Sequence, residues 1–174
     1  IALNVDQVNQ YAQSNLVGNE VGLVSLWNMN SADDDIIYDY SGGQSHGDIN
    51  GAAWYLPATP GENNSLSFNG DDDYVQLNSD LFNSDKATFL AWFNPNFDSN
   101  ADGNEWAIYM QGATTSSWGT FGINIRPQSI WLEMGSTSDG LQAQISDEYE
   151  YNAWNHIAVV FDNGIVKTFI NGTF

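Results

Sequence analysis

A short acidic loop near the middle of the chain has the residue spacing closest to that of an ion site. Asp98, Asn100 and Asp102 alternate along the chain, and a glycine follows directly. Oxygen ligands at positions 1, 3 and 5 with glycine at position 6 are typical of the first half of an EF-hand-type calcium loop. Position 12 is Tyr109 rather than a bidentate glutamate, and no flanking helix is predicted. The loop is either a calcium site, with Glu105 as the substitute ligand, or a plain acidic hairpin loop.

Aromatic side chains in predicted loops offer a second kind of chemistry. A sugar ring can stack on an aromatic face while Asp, Asn or a bound ion fixes its hydroxyls. Burial in the core is the alternative for each such residue, because aromatic side chains dominate cores as well. The candidate carbohydrate-binding residues are Trp54, Trp106, Trp118 and Trp131, with Tyr55 beside the first.

The acidic and histidine residues show no spacing typical of a catalytic site. Glu148 and Glu150 would share one face of an extended segment, but they precede a predicted strand, where a solvated loop is expected. His46 and His156 have no serine or cysteine partner in the local sequence. The sequence therefore predicts a domain that is not an enzyme, and no catalytic residue is assigned.

The chain is strongly acidic, with three basic residues against 22 acidic ones and a net charge of −19. Nucleic acid and anionic membranes would repel such a chain, so neither is an expected partner. Bound divalent cations, a salty environment that screens self-repulsion, and solubility alone are the three explanations. The absence of cysteine excludes a disulfide framework and a thiolate metal site. No signal peptide or membrane span is predicted, and a start at Ile1 is interpreted as a processed or partial chain.

Short β-strands joined by tight turns are the elements that must position these residues. Two apolar runs, at 156–161 and 165–170, flank Asn163-Gly164, a pair that favours the left-handed turn of a hairpin. Both faces of the first run are apolar, so this strand is predicted to be buried on both sides. Asn171-Gly172 indicates a second turn. Further strands are predicted at 22–30, 36–38, 48–54, 66–68, 74–77, 87–94, 106–110, 118–125, 130–134 and 141–145.

The first twenty residues differ from the rest. Apolar residues between Val5 and Leu16 fall at spacings of three and four, which favours a short amphipathic helix. Alternation within Ile1–Val5 favours an extended arm instead. Residues 1–20 are predicted to be a leader packed on the outside of one domain at 21–174. An arm that pairs with a neighbouring subunit is the alternative.

Taken in order, the strand motifs resemble a laminin-G-like jelly roll of the concanavalin A-like lectin/glucanase superfamily. The resemblance spans 22–174, and its specificity comes from the ordered series rather than from any single piece. The matching pieces are Gly22-Leu23-Val24-x-x-Trp27, Asp39-x-Ser41-Gly42 through His46-Gly47, Asn50-Gly51-Ala52-x-Trp54, Leu66-x-Phe68-Asn69-Gly70-x-Asp72-x-Tyr74-Val75, Thr88-Phe89-x-Ala91-Trp92-Phe93-x-Pro95, Trp154-Asn155-His156-Ile157-Ala158-Val159 and Asn171-Gly172.

The resemblance implies an all-β fold, a two-sheet antiparallel jelly-roll sandwich with a short N-terminal extension. It places Trp27, Trp92 and Trp154 in the core and makes His156 a hydrogen-bonded structural residue. The Glu-x-Asp-x-x-Glu strand of the superfamily's glucanases has no counterpart in this sequence. The family's final strands, expected after the hairpin that ends at Phe174, are also missing, which indicates a truncated chain or an open sheet edge.

The resemblance further implies a structural calcium ion held by two loops. One loop follows the first tryptophan strand, and the other is the Asp-x-Ser-Gly loop. The alternative is that Asp39 and Ser41 only build an Asx-type turn. The implicated positions are Asn30, Asp34 (or Asp33), Asp39, and backbone oxygens from Gly42 to His46.

These features together predict an extracellular, non-catalytic module that binds a glycan or cell-surface polysaccharide, with calcium ordering its loops. Such a module would belong to an adhesin or to a secreted protein that acts on polysaccharides. The alternative is a structural subunit of an extracellular fibre, sheath or particle. That subunit would self-associate through its N-terminal arm and an open sheet edge.

Overall fold

The computed structural model describes residues 1–30, 35–55, 64–96, 105–112, 121–135, 141–146 and 149–173. The chain forms two compact units, the first made of Ile1–Ser14 with Phe82–Phe174 and the second of Asn15–Leu81. The elements are α1 (Val5–Gln13), β1 (Ile36–Ile37), β2 (Gly47–Asn50), β3 (Ala53–Tyr55), β4 (Ser65–Ser67), β5 (Tyr74–Leu77), β6 (Lys86–Phe93), β7 (Trp106–Gln111), β8 (Phe121–Arg126), β9 (Ser129–Met134), β10 (Leu141–Ser146), β11 (Asn155–Asp162) and β12 (Ile165–Ile170).

Two antiparallel sheets build the first unit. One has the strand order β10-β9-β8-β7, and the other has the order β12-β11-β6. Their inner faces share one apolar cluster, in which Ile123 and Ile130 of the first sheet and Ile157 and Val159 of the second are fully buried. Period-two alternation directs these side chains inward and leaves the residues between them on the outer faces. The predicted all-β sandwich is confirmed.

Strand β11 is buried on both faces, as its sequence predicts. Ile157 and Val159 face the sandwich core, whereas Ala158 and Val160 belong to a second buried cluster together with Phe169 of β12. The β11–β12 turn is the predicted Asn-Gly turn, with φ values of 50° at Asn163 and 85° at Gly164. Positive φ at both central residues is the geometry of a type I′ hairpin.

The first part of the leader, Ile1–Ser14, belongs to the first unit and packs on the outer face of the β12-β11-β6 sheet. Leu3 and the fully buried Val8 pack on Ala158 and Val160. Asn4 caps α1, because its side chain accepts the Gln7 N–H while the Gln7 side chain accepts the Asn4 N–H, both at 3.0 Å. The helical alternative for this segment is therefore the observed one. A nine-residue helix is marginal alone, so its packing on the sheet holds it.

The second unit contains the sheets β1-β2-β5 and β3-β4. The strand predicted at 22–30 is wrong, because no residue of this segment belongs to one of the described strands. Its backbone instead bonds to the Asp39 loop. Leu26 N–H donates to the Asp39 carboxylate at 2.9 Å, and the Leu26 carbonyl accepts the Tyr40 N–H at 2.8 Å. Where the other predicted strands fall on described residues, strands form at or near the predicted positions.

Candidate functional site

The outer face of the β10-β9-β8-β7 sheet carries a cluster of polar side chains. On β8, Phe121, Ile123 and Ile125 face the core, so Asn124 and Arg126 point to the opposite side. Cross-strand pairing places Trp131 opposite Asn124 and places Glu133 opposite Gly122. We call this group the polar face and define it by six residues: Glu105, Asn124, Arg126, Trp131, Glu133 and Gln142.

Arg126 links the two carboxylates of the polar face. Its Nη2 lies 2.9 Å from Glu105 Oε2 and 3.8 Å from Glu133 Oε1. The guanidinium carbon lies 4.2 Å from the centre of the Trp131 ring, a cation–π contact. The Trp131 indole N–H donates to Ser129 Oγ at 2.9 Å. The ion pairs and the Trp131 ring together hold the guanidinium in place. The same contacts, with the hydrogen bond to Ser129, fix the orientation of Trp131.

Glu133 is nearly buried, with 9 % of its surface exposed. Gln142 Nε2 donates to its Oε1 at 2.7 Å. Burial, followed by the negative charge of Glu105, raises the pKa of Glu133, and the positive charge of Arg126 only partly opposes this. One guanidinium therefore does not neutralise this pair of carboxylates fully.

Asn124 is the unusual residue of the polar face, because it is fully buried and its amide is not satisfied. Neither Oδ1 nor Nδ2 reaches a hydrogen-bond partner among the described residues, and Glu105 Oε1 is buried in the same condition. The amide interacts with the Glu133 carboxylate closely enough to favour its ionised form, but without normal hydrogen-bond geometry. An unsatisfied buried polar group costs about 1–3 kcal/mol. A group that remains at such a cost points to a ligand.

A pair of tyrosines holds the β8–β9 turn next to Arg126. Tyr149 donates its hydroxyl proton to the Arg126 carbonyl at 2.6 Å, and its oxygen accepts the Gln128 N–H at 3.1 Å. Tyr151 accepts the same N–H at 2.7 Å. Gln128 has a φ of 62°, a conformation that is strained for this residue type. The two hydroxyls thus stabilise a strained turn that positions Arg126.

Of the predicted sugar-binding tryptophans, only Trp131 lies on the polar face. Trp106 pairs with the core residue Ile125, and cross-strand partners share a face, so Trp106 belongs to the sandwich side of the sheet. Trp54 lies in β3 of the second unit. Trp118 falls outside the described residues. Sequence spacing alone does not group these four residues.

Asp39 is engaged within its own loop. Its Oδ1 accepts the N–H groups of Leu26 and Ser41 at 2.9 and 2.8 Å, and its Oδ2 accepts the Ser45 N–H at 2.9 Å. Burial raises the pKa of Asp39, but the hydrogen bonds outweigh it and the net pKa is lowered. The bond to Ser41 N–H is the Asx turn that we gave as the alternative to a metal ligand.

Three further predicted calcium ligands, Asn30, Gly42 and His46, lie within the described residues. His46 Nδ1 accepts the Asp39 N–H at 3.0 Å, and Asn30 is exposed. Gly42 is exposed with a φ of 85°. No group of three acidic, histidine or cysteine side chains with metal-binding geometry occurs within the described ranges. Asp34, Asp98, Asn100 and Asp102 lie outside those ranges, so calcium binding stays a prediction. The Asp39 carboxylate is already engaged by backbone N–H groups.

Two core predictions from the resemblance are wrong. Trp92 and Trp154 are 54 % and 52 % exposed. Trp92 lies between the core-facing Ala91 and Phe93 and therefore points to the outer face of its sheet, and Trp154 precedes β11. His156 is bonded through its main chain to Asn171, as a structural residue would be. Its ring lies tilted against the Trp92 ring, with the ring centres 5.2 Å apart, and its buried Nδ1 finds no partner in the part of the chain that is described.

Sequence reasoning missed Asn124, Arg126, Glu105 and Glu133 as one group. The sequence contains only a weak signal for this group: in β8, the polar residues Asn124 and Arg126 alternate with apolar ones. Only strand register brings these residues together across β7, β8 and β9.

The family comparison agrees with the sandwich described above. A family model of the concanavalin A-like lectin/glucanase superfamily, of the laminin G type, matches residues 69–174, more than half of the chain. Comparisons with curated proteins and with solved structures gave no match. The chain therefore belongs to the laminin-G-like family of the concanavalin A-like lectin/glucanase superfamily.

Proposed function

We propose that this protein is an extracellular, non-catalytic lectin-like module that binds carbohydrate on its polar face. Family membership supports the general proposal that the protein is a lectin-like binding module. Proteins of this type are typically extracellular, and none of the described helices is long and apolar enough to span a membrane. The polar face supports the more specific proposal that the ligand is a carbohydrate.

The observation that carries the proposal is the unsatisfied amide of Asn124. An amide with one free donor and one free acceptor matches a sugar hydroxyl, which both accepts and donates a hydrogen bond. The free Oε1 of Glu105 adds a second acceptor for another hydroxyl. Trp131 borders the amide and supplies apolar surface of the kind that sugar rings contact.

Pre-organisation of the polar face also supports binding. Arg126 is held by two carboxylates, by the Trp131 ring and by the tyrosine-supported turn. Side chains that are fixed before the ligand arrives lose little conformational entropy on binding. The charge of −19 favours neutral or cationic ligands over polyanions.

The test is a glycan-array screen with wild-type protein and with Asn124→Leu. Wild type should bind a defined set of glycans, and the variant should lose that binding while it keeps its fold by circular dichroism. Gln76→Leu, on the exposed part of β5, is the matched control and should bind like wild type. Equal binding by wild type and Asn124→Leu would remove the polar face from the proposal. Degradation of a bound glycan would contradict the non-catalytic part.

Self-assembly through the N-terminal arm receives no support from the packing of the leader. Leu3 and Val8 are already buried on the sheet of their own chain. Strand β12 pairs only with β11 among the described strands, so an open edge remains a prediction. Deletion of residues 1–18 is the test: the assembly hypothesis requires that oligomers disappear while glycan binding remains.

A further inference from the structure

The polar face has more free acceptors than free donors. Glu105 Oε1 and Asn124 Oδ1 are two buried oxygens without a partner among the described residues, whereas Asn124 Nδ2 is the corresponding free donor. Carboxylate oxygens only accept hydrogen bonds when they are ionised. The group that complements this face best is therefore a strong multiple donor.

Charge points in the same direction. Two carboxylates share the single guanidinium of Arg126, and they reach the same nitrogen at 2.9 and 3.8 Å. Burial and the charge of Glu105 raise the pKa of Glu133, as expected where negative charge lacks full compensation. A ligand cation placed between these carboxylates would satisfy the free oxygen of Glu105 and relieve the repulsion between the pair.

We infer that the polar face selects glycans bearing a free, protonated amino group, as glucosamine residues do. This inference rests on the proposed carbohydrate function and specifies its ligand. An ammonium group donates three hydrogen bonds and carries the charge that the two glutamates lack. The ring hydroxyls beside the amino group remain available to the Asn124 amide. Glycans rich in carboxylate or sulfate are excluded, because Glu105 and Glu133 would repel them.

Three β-1,4-linked glucose-type oligosaccharides of equal length test this selectivity. They differ only at carbon 2, which carries an amine in the glucosamine oligomer, an acetamide in the N-acetylglucosamine oligomer and a hydroxyl in the cello-oligomer. Isothermal titration calorimetry at a mildly acidic pH, where the glucosamine amines are protonated, should show the amine form binding at least about tenfold tighter than the other two. Acetylation keeps the backbone, removes the charge and two donors, and adds a carbonyl and a methyl group, so the cello-oligomer serves as the uncharged form without that added bulk.

Two variants assign the preference to this site. Glu105→Gln and Glu133→Gln remove one charge each and keep the shape of the side chain. Each should reduce the ratio of amine-form affinity to cello-oligomer affinity toward parity, because each removes a charge that attracts the ammonium group. Gln76→Leu, outside the polar face, should keep the wild-type ratio. Circular dichroism and size exclusion establish that the variants are folded.

The outcomes separate the inference from the function on which it rests. Equal affinity of wild type for all three oligomers overturns the inference and leaves carbohydrate binding standing. An amine preference that persists in both variants overturns its assignment to the polar face. Array binding confined to glycans without amino groups also overturns it. No binding to any oligomer or array glycan overturns the inference and the proposed function together.

Discussion

At the scale of single residues, two fully buried asparagines among the described residues, Asn124 and Asn155, differ in their hydrogen bonding. Asn155 is saturated: its Oδ1 accepts from Glu150 N–H and Asn171 Nδ2, and its Nδ2 donates to the carbonyls of Glu150 and Ala153. Asn124 is equally buried but makes no hydrogen bond within the described residues. We expect Asn155→Leu to lower the free energy of unfolding by about 2–4 kcal/mol, because partners lose their bonds inside the protein.

Asn124→Leu should instead leave the free energy of unfolding within about 1 kcal/mol of wild type, or raise it, because it removes an unsatisfied polar group. Urea denaturation of both variants in ligand-free buffer measures the difference. A residue kept at a cost to stability is typical of a binding site. If Asn124→Leu destabilises the protein as strongly as Asn155→Leu, the amide is satisfied inside the fold and points to no ligand.

Glu133 gives the polar face a pH dependence whose sign follows from its raised pKa. A carboxyl with a raised pKa binds its proton more tightly in the folded than in the unfolded chain, so its contribution to stability is lost as pH rises through the folded-state pKa. Glu133→Gln should therefore have a higher Tm than wild type near neutral pH. The difference should shrink toward about pH 4, where the glutamate is protonated in both states.

Glu20 supplies a control of opposite sign. Backbone N–H groups, that of Val17 first, lower the pKa of this carboxylate. Glu20→Gln should lower Tm at neutral pH, and this loss should disappear on acidification. Thermal melts of wild type and both variants from about pH 2 to 8 check the pair, because the Glu20 contribution is lost only below the ordinary range of glutamate pKa values. A lower Tm for Glu133→Gln at neutral pH would mean that the Arg126 ion pair outweighs burial.

At the scale of elements, α1 acts as a cover for one sheet. Val8 is fully buried against β11, whereas Val5, one turn earlier in the same helix, is 46 % exposed. Val8→Ala should lower the free energy of unfolding by about 1–2 kcal/mol, and Val5→Ala should change it by less than about 0.5 kcal/mol. Both substitutions gain the same helix propensity, so the difference isolates the packing on the sheet.

The same pair of variants distinguishes packing within the chain from exchange between chains. Urea denaturation at several protein concentrations should give the same Val8→Ala effect at each, because the leader covers its own sheet. An effect that grows with protein concentration would mean that the leader comes from a neighbouring copy, as the assembly alternative holds.

Local sequence patterns predict the strands, the turns and the helix better than they predict the residues of the polar face. Asn163-Gly164 determines the type of its turn, because few residues other than Asn and Gly adopt positive φ. Strand β11 has apolar residues on both faces, so its sequence alone predicts that both faces are buried. The polar face depends instead on register between strands that lie far apart in sequence, which no local pattern encodes. The burial of Trp92 and Trp154 was predicted wrongly for a related reason, since residue type alone does not reveal whether another element covers a side chain.

At the scale of the whole molecule, the charge of −19 acts on stability as well as on ligand choice. Ion pairs with side chains offset little of it. Within the described residues Lys86 pairs with Asp162 at 3.0 Å, and Arg126 pairs with the two glutamates of the polar face. Most acidic side chains therefore contribute to self-repulsion, which salt screens over a Debye length of about 10 Å at 0.1 M.

Tm should rise between about 10 mM and 500 mM sodium chloride, because the compact state gains most from screening. Calcium chloride at the same ionic strength separates the explanations of the charge. The calcium prediction requires a further rise in Tm that EDTA reverses. That rise should persist in Asp39→Asn once the intrinsic loss of stability is subtracted, since the Asp39 carboxylate is engaged by backbone N–H groups. If the melting curves in the two salts are equal, charge screening alone explains the rise in Tm, and a specific calcium site is contradicted.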